Sequence, residues 1–400
     1  LRRCADASGA VAQALDEESR AALAEALRRS RSRHAAGARA ADGAAAAAVW
    51  LVPSSRHERC LVDNFLAQLT AHLATPPPVV VAALDAGMAS TCAELLRAEE
   101  DLAGHTHCAD LSQSFLSVAG SEANGDVNVS NTCMFSALSW AKVMLLREAV
   151  SLEPAGVLVF DPDVVVLRDV GAWIRKHQSS LESKELPNIW VGVNPDWEDA
   201  STNANSGVLF AAGSALLVLD AWLARRARWQ AEFHEILRKG HEEIGFYGDV
   251  EGLMHLLRTG SGTFRLVRIP RHVVEMCNPA SVPDGAFAVH YTCTAVASHP
   301  HRWVAKAEAM AVHGLYAPRG APCSLRAAVC ESLRHPAARG RGALLWAASA
   351  GHARLVGRLW QASSSLDAGG ALHRAAGAGH MRVAELLLDA GVDPSWPPEG

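Results

Sequence analysis

Apolar residues fall along this chain in two alternating textures. Short unbroken runs such as Val79–Leu84, Val157–Phe160, Val164–Leu167 and Ile189–Val193 read as strands buried on both faces. Between them apolar residues recur every three or four positions. Leu61, Phe65, Leu69 and Leu73 form one stripe of a helix over 57–73 that Pro76-Pro77-Pro78 ends. The same reading predicts a first strand over 47–52, helices over 89–100 and 135–150, and a short helix over 170–177. It adds a strand entered through Asn205-Ser206-Gly207, helices over 214–229 and 248–258, and late strands over 264–269 and 286–292. Strands alternating with helices of these lengths predict an α/β fold with a mostly parallel sheet.

Two regions depart from the alternation. Residues 1–43 are rich in Ala, Arg and Ser and predict a loose helix over 16–29, acids first and arginines last as the helix dipole favours, followed by disorder. Residues 101–130 are polar. His105, His107 and Cys108 there read as solvated loop residues, because no second ligand pair stands at a zinc spacing.

Past residue 320 the pattern changes again. Ala343-Leu-Leu-Trp-Ala-Ala-Ser-Ala-Gly-His352 returns as Ala371-Leu-His-Arg-Ala-Ala-Gly-Ala-Gly-His380, 28 positions on, and continues through Leu386 to Leu388 into Ala390-Gly391. Paired alanines allow two helices to approach, and Gly379 allows a left-handed turn between them. The segment resembles the ankyrin repeat, whose period is about 33 residues, with a shortened connection in the first copy. Two repeats bury little on their own and need neighbours.

Composition narrows the function. Of the 400 residues half are hydrophobic and 20% are charged, enough for two or three domains with a sizeable core. A net charge of −5 argues against a general nucleic-acid binder. Nine cysteines with no C-x-x-C pair fit mostly free thiols, with room for one or two disulfides. Ala44–Val52, the longest apolar stretch near the start, falls far short of the roughly 20 residues of a membrane span. A start at Leu1 fits a fragment whose signal or anchor has been removed.

The chemistry concentrates in Val157-Leu-Val-Phe-Asp161-Pro-Asp163-Val-Val-Val. Ligands of open α/β sheets sit beyond the carboxyl ends of such strands. In an extended segment residues i and i+2 point the same way, so the two carboxylates repel unless a cation lies between them. Mg²⁺ and Mn²⁺ prefer such oxygen ligands, and an ion held this way can hold a diphosphate. The plain alternative is an Asp-Pro bend between two strands. No G-x-G-x-x-G follows Val79–Leu84, which counts against a dinucleotide-binding enzyme.

Residues 48–305 resemble the nucleotide-diphospho-sugar transferases, a glycosyltransferase group of GT-A fold that includes glycosyltransferase family 77. Asn64-Phe65-Leu66, Val80–Asp85, Trp140-Ala141-Lys142 ahead of Asp161-Pro162-Asp163, Asn205-Ser206-Gly207 with Trp222 downstream, and Val289-His290 stand in the family's order. Two positions depart from it: Asp249-Val250 replaces the usual Asp-Gln, and no asparagine follows His290 closely.

The resemblance implies a Rossmann-like GT-A sheet with helices on both faces over 47–317, a linker over 318–341 and a small all-α ankyrin module over 342–400, after an N-terminal segment of 1–46. It implies a metal-dependent glycosyltransferase that moves a sugar from a nucleotide-diphosphate donor to an acceptor hydroxyl, with retention of configuration as in family 77. Asp161, Asp163 and His290 would hold Mn²⁺ or Mg²⁺, with Asp161 also near the ribose. Lys142 would face phosphate oxygens and Asp85 the nucleotide, while Asn205 and Asp249 would bond the donor sugar or the acceptor. Partners would be a glycan or protein acceptor and a protein bound by the repeats. The competing reading is a transferase-like domain that no longer catalyses, carried on an ankyrin scaffold. Golgi lumen and cytoplasm both stay open.

Overall fold

The computed structural model describes residues 15–38, 48–116, 133–181, 186–193, 204–226, 249–259, 263–276, 281–292, 302–319, 368–377 and 379–395, with isolated positions between 323 and 360. The chain divides into two compact units: Leu1–Cys293 with Ala317–Gly320, and Thr294–Tyr316 with Ala321–Gly400.

The first unit begins with α1 (Glu17–Ala38), β1 (Val49–Ser54), α2 (Arg59–His72), β2 (Val79–Ala83), α3 (Ala86–Ala98) and β3 (Thr106–Asp110). It continues with α4 (Cys133–Leu152), β4 (Val157–Phe160), β5 (Val164–Val166), α5 (Val170–Leu181), β6 (Asn188–Val193) and β7 (Ala204–Ala211). Then come a helix over 216–226, α6 (Asp249–Thr259), β8 (Arg265–Arg268), β9 (Val274–Met276) and β10 (Ala288–His290).

Seven strands make one sheet in the order β3-β2-β1-β4-β7-β6-β8. Only β7 runs against its neighbours, β4 and β6. This is the mostly parallel α/β architecture expected from the alternation. The apolar runs explain it residue by residue. Val49, Leu51, Val157 and Val159 point into one core layer with α1, α4 and α6, whereas Trp50, Val52, Leu158 and Phe160 point into the other with α2, α3 and α5. A strand covered on both sides has no reason to alternate polar with apolar. On the second face Phe160 packs against Trp50 and Phe65, ring centroids 4.7 and 5.7 Å apart, contacts worth about 0.5–1.5 kcal/mol each beyond their burial.

After β1 the chain moves outward through β2 and β3, then returns to place β4 on β1's other side. The connections leave a crevice above the carboxyl ends of β1 and β4, where open α/β sheets bind ligands. A second, three-stranded sheet, β5-β10-β9, stands beside that crevice.

Three sequence readings change here. The N-terminal helix is longer than expected and is integral to the fold. Leu23, Ala26 and Leu27 are buried in the first core layer, and Arg20 and Arg31 pair with the buried Glu148 and Glu153 near the end of α4. The polar stretch after residue 100 holds a strand, β3, in which His107 is buried and Cys108 is disulfide-bonded to Cys92 of α3. An edge strand sheathed by a helix and a disulfide needs less hydrophobicity than a central one, which hid it from a search for apolar runs. Finally, 161–163 is a bend rather than extended chain, as described below.

The start of the expected linker is pinned to the first unit. Asn64 accepts a hydrogen bond from the Ala317 N–H (2.8 Å) and Asp63 one from Arg319 N–H (3.2 Å), while the Arg319 guanidinium pairs with Glu99 (2.9 Å) and reaches Thr70.

In the second unit α7 (Arg302–Val312) precedes a helical hairpin, α8 (Ala368–Gly377) and α9 (Met381–Asp389). Gly379 between them has φ +74°, the left-handed turn expected at that position. Ala371, Ala375, Val383 and Leu387 bury against Leu344, Ala347 and Ala348 of the preceding copy. The smaller expected linker and copy boundaries between 320 and 367 lie mostly outside the described residues.

α1 supplies a pH test. Asp16 caps it, accepting the Ser19 N–H at 2.7 Å and the Ser114 hydroxyl at 2.5 Å, and these bonds hold its carboxyl below the usual range, Ser114 foremost. A depressed carboxyl stabilises the fold above its unfolded pKa and stops doing so as pH falls through its folded value. Asp16→Ala should therefore cost about 1 kcal/mol at pH 7, and the deficit against wild type in denaturant titration should shrink below about pH 4.

Candidate metal centre and active site

The site grows out of the bend after β4. The Asp161 carbonyl accepts the Val164 N–H at 3.1 Å, an i to i+3 bond with Pro162 at the position where its fixed φ suits a turn. β4 thus stops at Phe160, and β5 starts in the other sheet. Asp161 and Asp163 converge because the chain folds back, not because they alternate along one strand. Both the acidic-pair reading and the Asp-Pro bend describe the same three residues.

β10 closes the arrangement. It runs antiparallel to β5 with His290 opposite Val164, and the Tyr291 N–H donates to the Asp163 carbonyl at 3.1 Å. That register carries the His290 ring to the acids. Its Nε2 lies 3.2 Å from Asp163 Oδ1 and 3.8 Å from Asp161 Oδ2. Asp163 and His290 are buried, while the Asp161 side chain is 29% exposed and forms the open side.

Lys142 of α4 enters from the opposite side. Its buried ammonium donates to Asp161 Oδ1 and to Ser206 Oγ, both at 2.8 Å. The strand supplying Ser206 also supplies Gly207, whose carbonyl accepts the Asp161 N–H at 2.8 Å. A Cβ on Gly207 would overlap the His290 ring, so only glycine lets the imidazole lie flat on β7. Asn205 of the same strand accepts the Gly207 N–H at 2.8 Å.

The residues expected from sequence thus divide. Asp161, Asp163, His290 and Lys142 come together, with Asn205 two residues from Gly207 beneath them. Asp85 follows β2 at the same edge of the sheet, where its carboxylate accepts the N–H groups of Met88 and Arg56, each at 2.8 Å, and caps α3. Asp249 opens α6, and its side chain lies outside the described residues. Ser206 and Gly207 are parts of the site that sequence reasoning quoted without assigning a role. The signal for Gly207 was its place in a strand where a side chain would otherwise help packing.

The donor set fits a divalent cation. Asp161, Asp163 and His290 each offer one ligand atom, all within 4.8 Å of one another. Two ligands at about 2.1 Å from one octahedral ion stand roughly 3 Å apart, close to the His290–Asp163 separation. Carboxylate oxygens with one imidazole nitrogen suit Mn²⁺, and oxygen-preferring Mg²⁺ less well. Among the described residues this is the sole group of three or more such ligands.

Comparison with known proteins bears on both units. Residues 371–397 match the family model described as Ankyrin repeat. No curated protein matches the chain. Among solved structures, apo mouse Xyloside xylosyltransferase 1 is similar at 10% identity and TM-score 0.42, covering 62% of this chain and 98% of its own. Galactosyltransferase LgtC with donor and acceptor sugar analogues is similar at 15% identity and TM-score 0.35, covering 64% of this chain and 94% of its own. A mannosyltransferase from Pyrobaculum calidifontis in complex with GDP-Man and Mn²⁺ is similar at 14% identity and TM-score 0.30, covering 95% of this chain and 98% of its own. None of these singles out family 77.

Gly207 gives the test of this geometry. Gly207→Ala should push the His290 ring off β7 and weaken Mn²⁺ binding by about 10- to 100-fold, as loss of ligand positioning commonly does. His290→Ala should match it. Mn²⁺ titration followed by water-proton relaxation reads both, and unchanged affinity in folded variants would remove His290 from the metal site.

Proposed function

We propose that the first unit is a metal-dependent glycosyltransferase that moves a sugar from a nucleotide-diphosphate donor to an acceptor hydroxyl. The observation that carries this is the Asp161–Asp163–His290 group, with Lys142 against it, at the carboxyl end of β4 beside the sheet's switch point.

Charge makes the case. Two carboxylates and one ammonium leave a net negative site when His290 is neutral. A bound Mn²⁺ or Mg²⁺ reverses that sign and supplies Lewis-acid neutralisation of the leaving nucleoside diphosphate. In this reading Asp161, Asp163 and His290 hold the ion. Lys142 holds the Asp161 carboxylate in place through its 2.8 Å contact and adds a point charge on the phosphate side. The resemblance assigns Asp85 to the nucleotide, and Asn205 and Asp249 to the donor sugar or the acceptor. The outcome at the anomeric carbon is retention, by the resemblance to family 77. The repeats bind a protein partner.

The competing reading, a non-catalytic domain on an ankyrin scaffold, draws support from one observation. Lys142 and His290 both contact the acids, so the cluster is held together by the protein's own side chains.

The Cys92–Cys108 disulfide supports folding in an oxidising compartment such as the secretory lumen. Mass spectrometry of protein alkylated before reduction should find both thiols protected. Free Cys92 and Cys108 in protein secreted by cultured cells would favour the cytoplasm.

Calorimetric titration of UDP and GDP, with and without Mn²⁺, on wild type and Asp163→Asn separates the two functional readings. Wild type should bind one of them more tightly with Mn²⁺ than without it, and Asp163→Asn should lose that gain while keeping its melting temperature. Affinity indifferent to Mn²⁺ and to the substitution would leave the scaffold reading standing.

A further inference from the structure

One buried cation near the site has no role in the reading above. Arg226, the last described residue of the helix over 216–226, is only 8% exposed. Among the described residues no carboxylate pairs with it. Its neighbours on adjacent helices behave differently: Arg147 of α4 pairs with Asp220 at 2.8 Å and with the buried Glu148 at 3.0 Å. Burial lowers the Arg226 pKa to about 10 with no charged group offsetting the loss, so it remains a cation at neutral pH. A buried, uncompensated guanidinium is one of the least favourable groups a fold can hold. Its five donors in a rigid fork match a carboxylate or phosphate.

The fold locates it. β7 descends from the crevice to the opposite edge of the sheet, where Gly213 N–H meets the Pro154 carbonyl, so the helix over 216–226 climbs back toward the crevice. α4 descends beside it, and the Arg147–Asp220 pair sets their register. At a rise of about 1.5 Å per residue, Arg226 stands roughly 9 Å above Asp220, and Lys142 roughly 7.5 Å above Arg147. The two residues therefore stand at nearly one height along neighbouring helices, toward the crevice end of each.

Arg226 also shares a helix face with Trp222, four residues earlier. That face meets Trp140, because α6 brings Gly252 so close to both rings that a Cβ there would lie 2.5 Å from the Trp140 ring and 3.2 Å from Trp222 Nε1. Trp140 precedes Lys142 by two residues, so the face carrying Arg226 turns toward the crevice end of α4.

We propose that Arg226 recognises the carboxylate of an acidic sugar, of the uronic-acid type, beside the Asp161–Asp163–His290 group. The diphosphate of a donor falls to Lys142 and the metal, whereas Arg226 is set to one side, where the sugars would lie. The inference rests on the transferase reading. The acidic sugar is either the one transferred or the one that accepts it, and both supply the same carboxylate.

The test uses the full chain, as wild type, Arg226→Met and Arg226→Lys. One arm titrates UDP-glucuronate against UDP-glucose in the presence of Mn²⁺, with UDP alone as reference. The other titrates methyl glucuronide against methyl glucoside without nucleotide. Wild type should favour the carboxylate-bearing member by about 10- to 100-fold in one arm, the range of hydrogen bonds to a charged group. Arg226→Met should lose that preference, bind UDP as wild type does, and melt at a higher temperature, because an unpaired buried charge is gone. Arg226→Lys should retain only part of the preference, since the bidentate fork is lost. Absence of a preference in both wild-type arms, its survival in Arg226→Met, or a lowered melting temperature of Arg226→Met would each overturn the assignment. Failure of UDP to bind with Mn²⁺ strikes the transferase reading instead, and the glycoside arm still reads Arg226.

Discussion

Two carboxylates meet at the end of a buried strand, and the first unit is built to tolerate them. Like charges about 4 Å apart repel by roughly 4 kcal/mol at the effective dielectric near a protein surface. Lys142 answers Asp161 from α4, and His290 answers Asp163 from β10. Each answer needs further parts. Lys142 is oriented by Ser206, and the His290 ring finds room only because residue 207 is glycine. The open side of the group is Asp161, 29% exposed, and it is there that a divalent cation would enter.

The large sheet serves this arrangement by rigidity. Its central strands β1 and β4 are covered on both faces by helices, so the residues leaving their carboxyl ends have little freedom. The small sheet β5-β10-β9 serves it by register. A slip of one residue between β5 and β10 would turn His290 to the other face and carry its nitrogen away from the acids. The N-terminal helix and the pinned segment 317–319 secure helices α4 and α2, on opposite faces of the sheet.

Much of this was legible in the chain. Buried strands announced themselves as unbroken apolar runs, helices as stripes, and the repeats as a recurrence of Ala-Ala and Gly-His. The elements that escaped have identifiable causes. β3 sits at the sheet's edge, and its residues Thr106-His107-Cys108 carry no apolar run. β9 is three residues long. α1 looks polar and arginine-rich because only Leu23, Ala26 and Leu27 with a few small residues face inward, while Arg20 and Arg31 find Glu148 and Glu153 more than a hundred residues away.

The sequence by itself determined the class of fold, the acidic pair, and the candidate metal-binding residue types, because burial and charge are properties each residue carries with it. Tertiary structure alone decided which of those residues meet. The convergence of Asp161 with Asp163 depends on a bend between two sheets, not on strand alternation. Their approach to His290 depends on a pairing across more than a hundred residues, and Lys142 turns to Asp161 because of a serine on another strand. Asp85, equally acidic and equally well placed in the sequence, is engaged by the backbone of α3. Long-range contacts are chosen by the packing of the whole unit, and no local pattern encodes them.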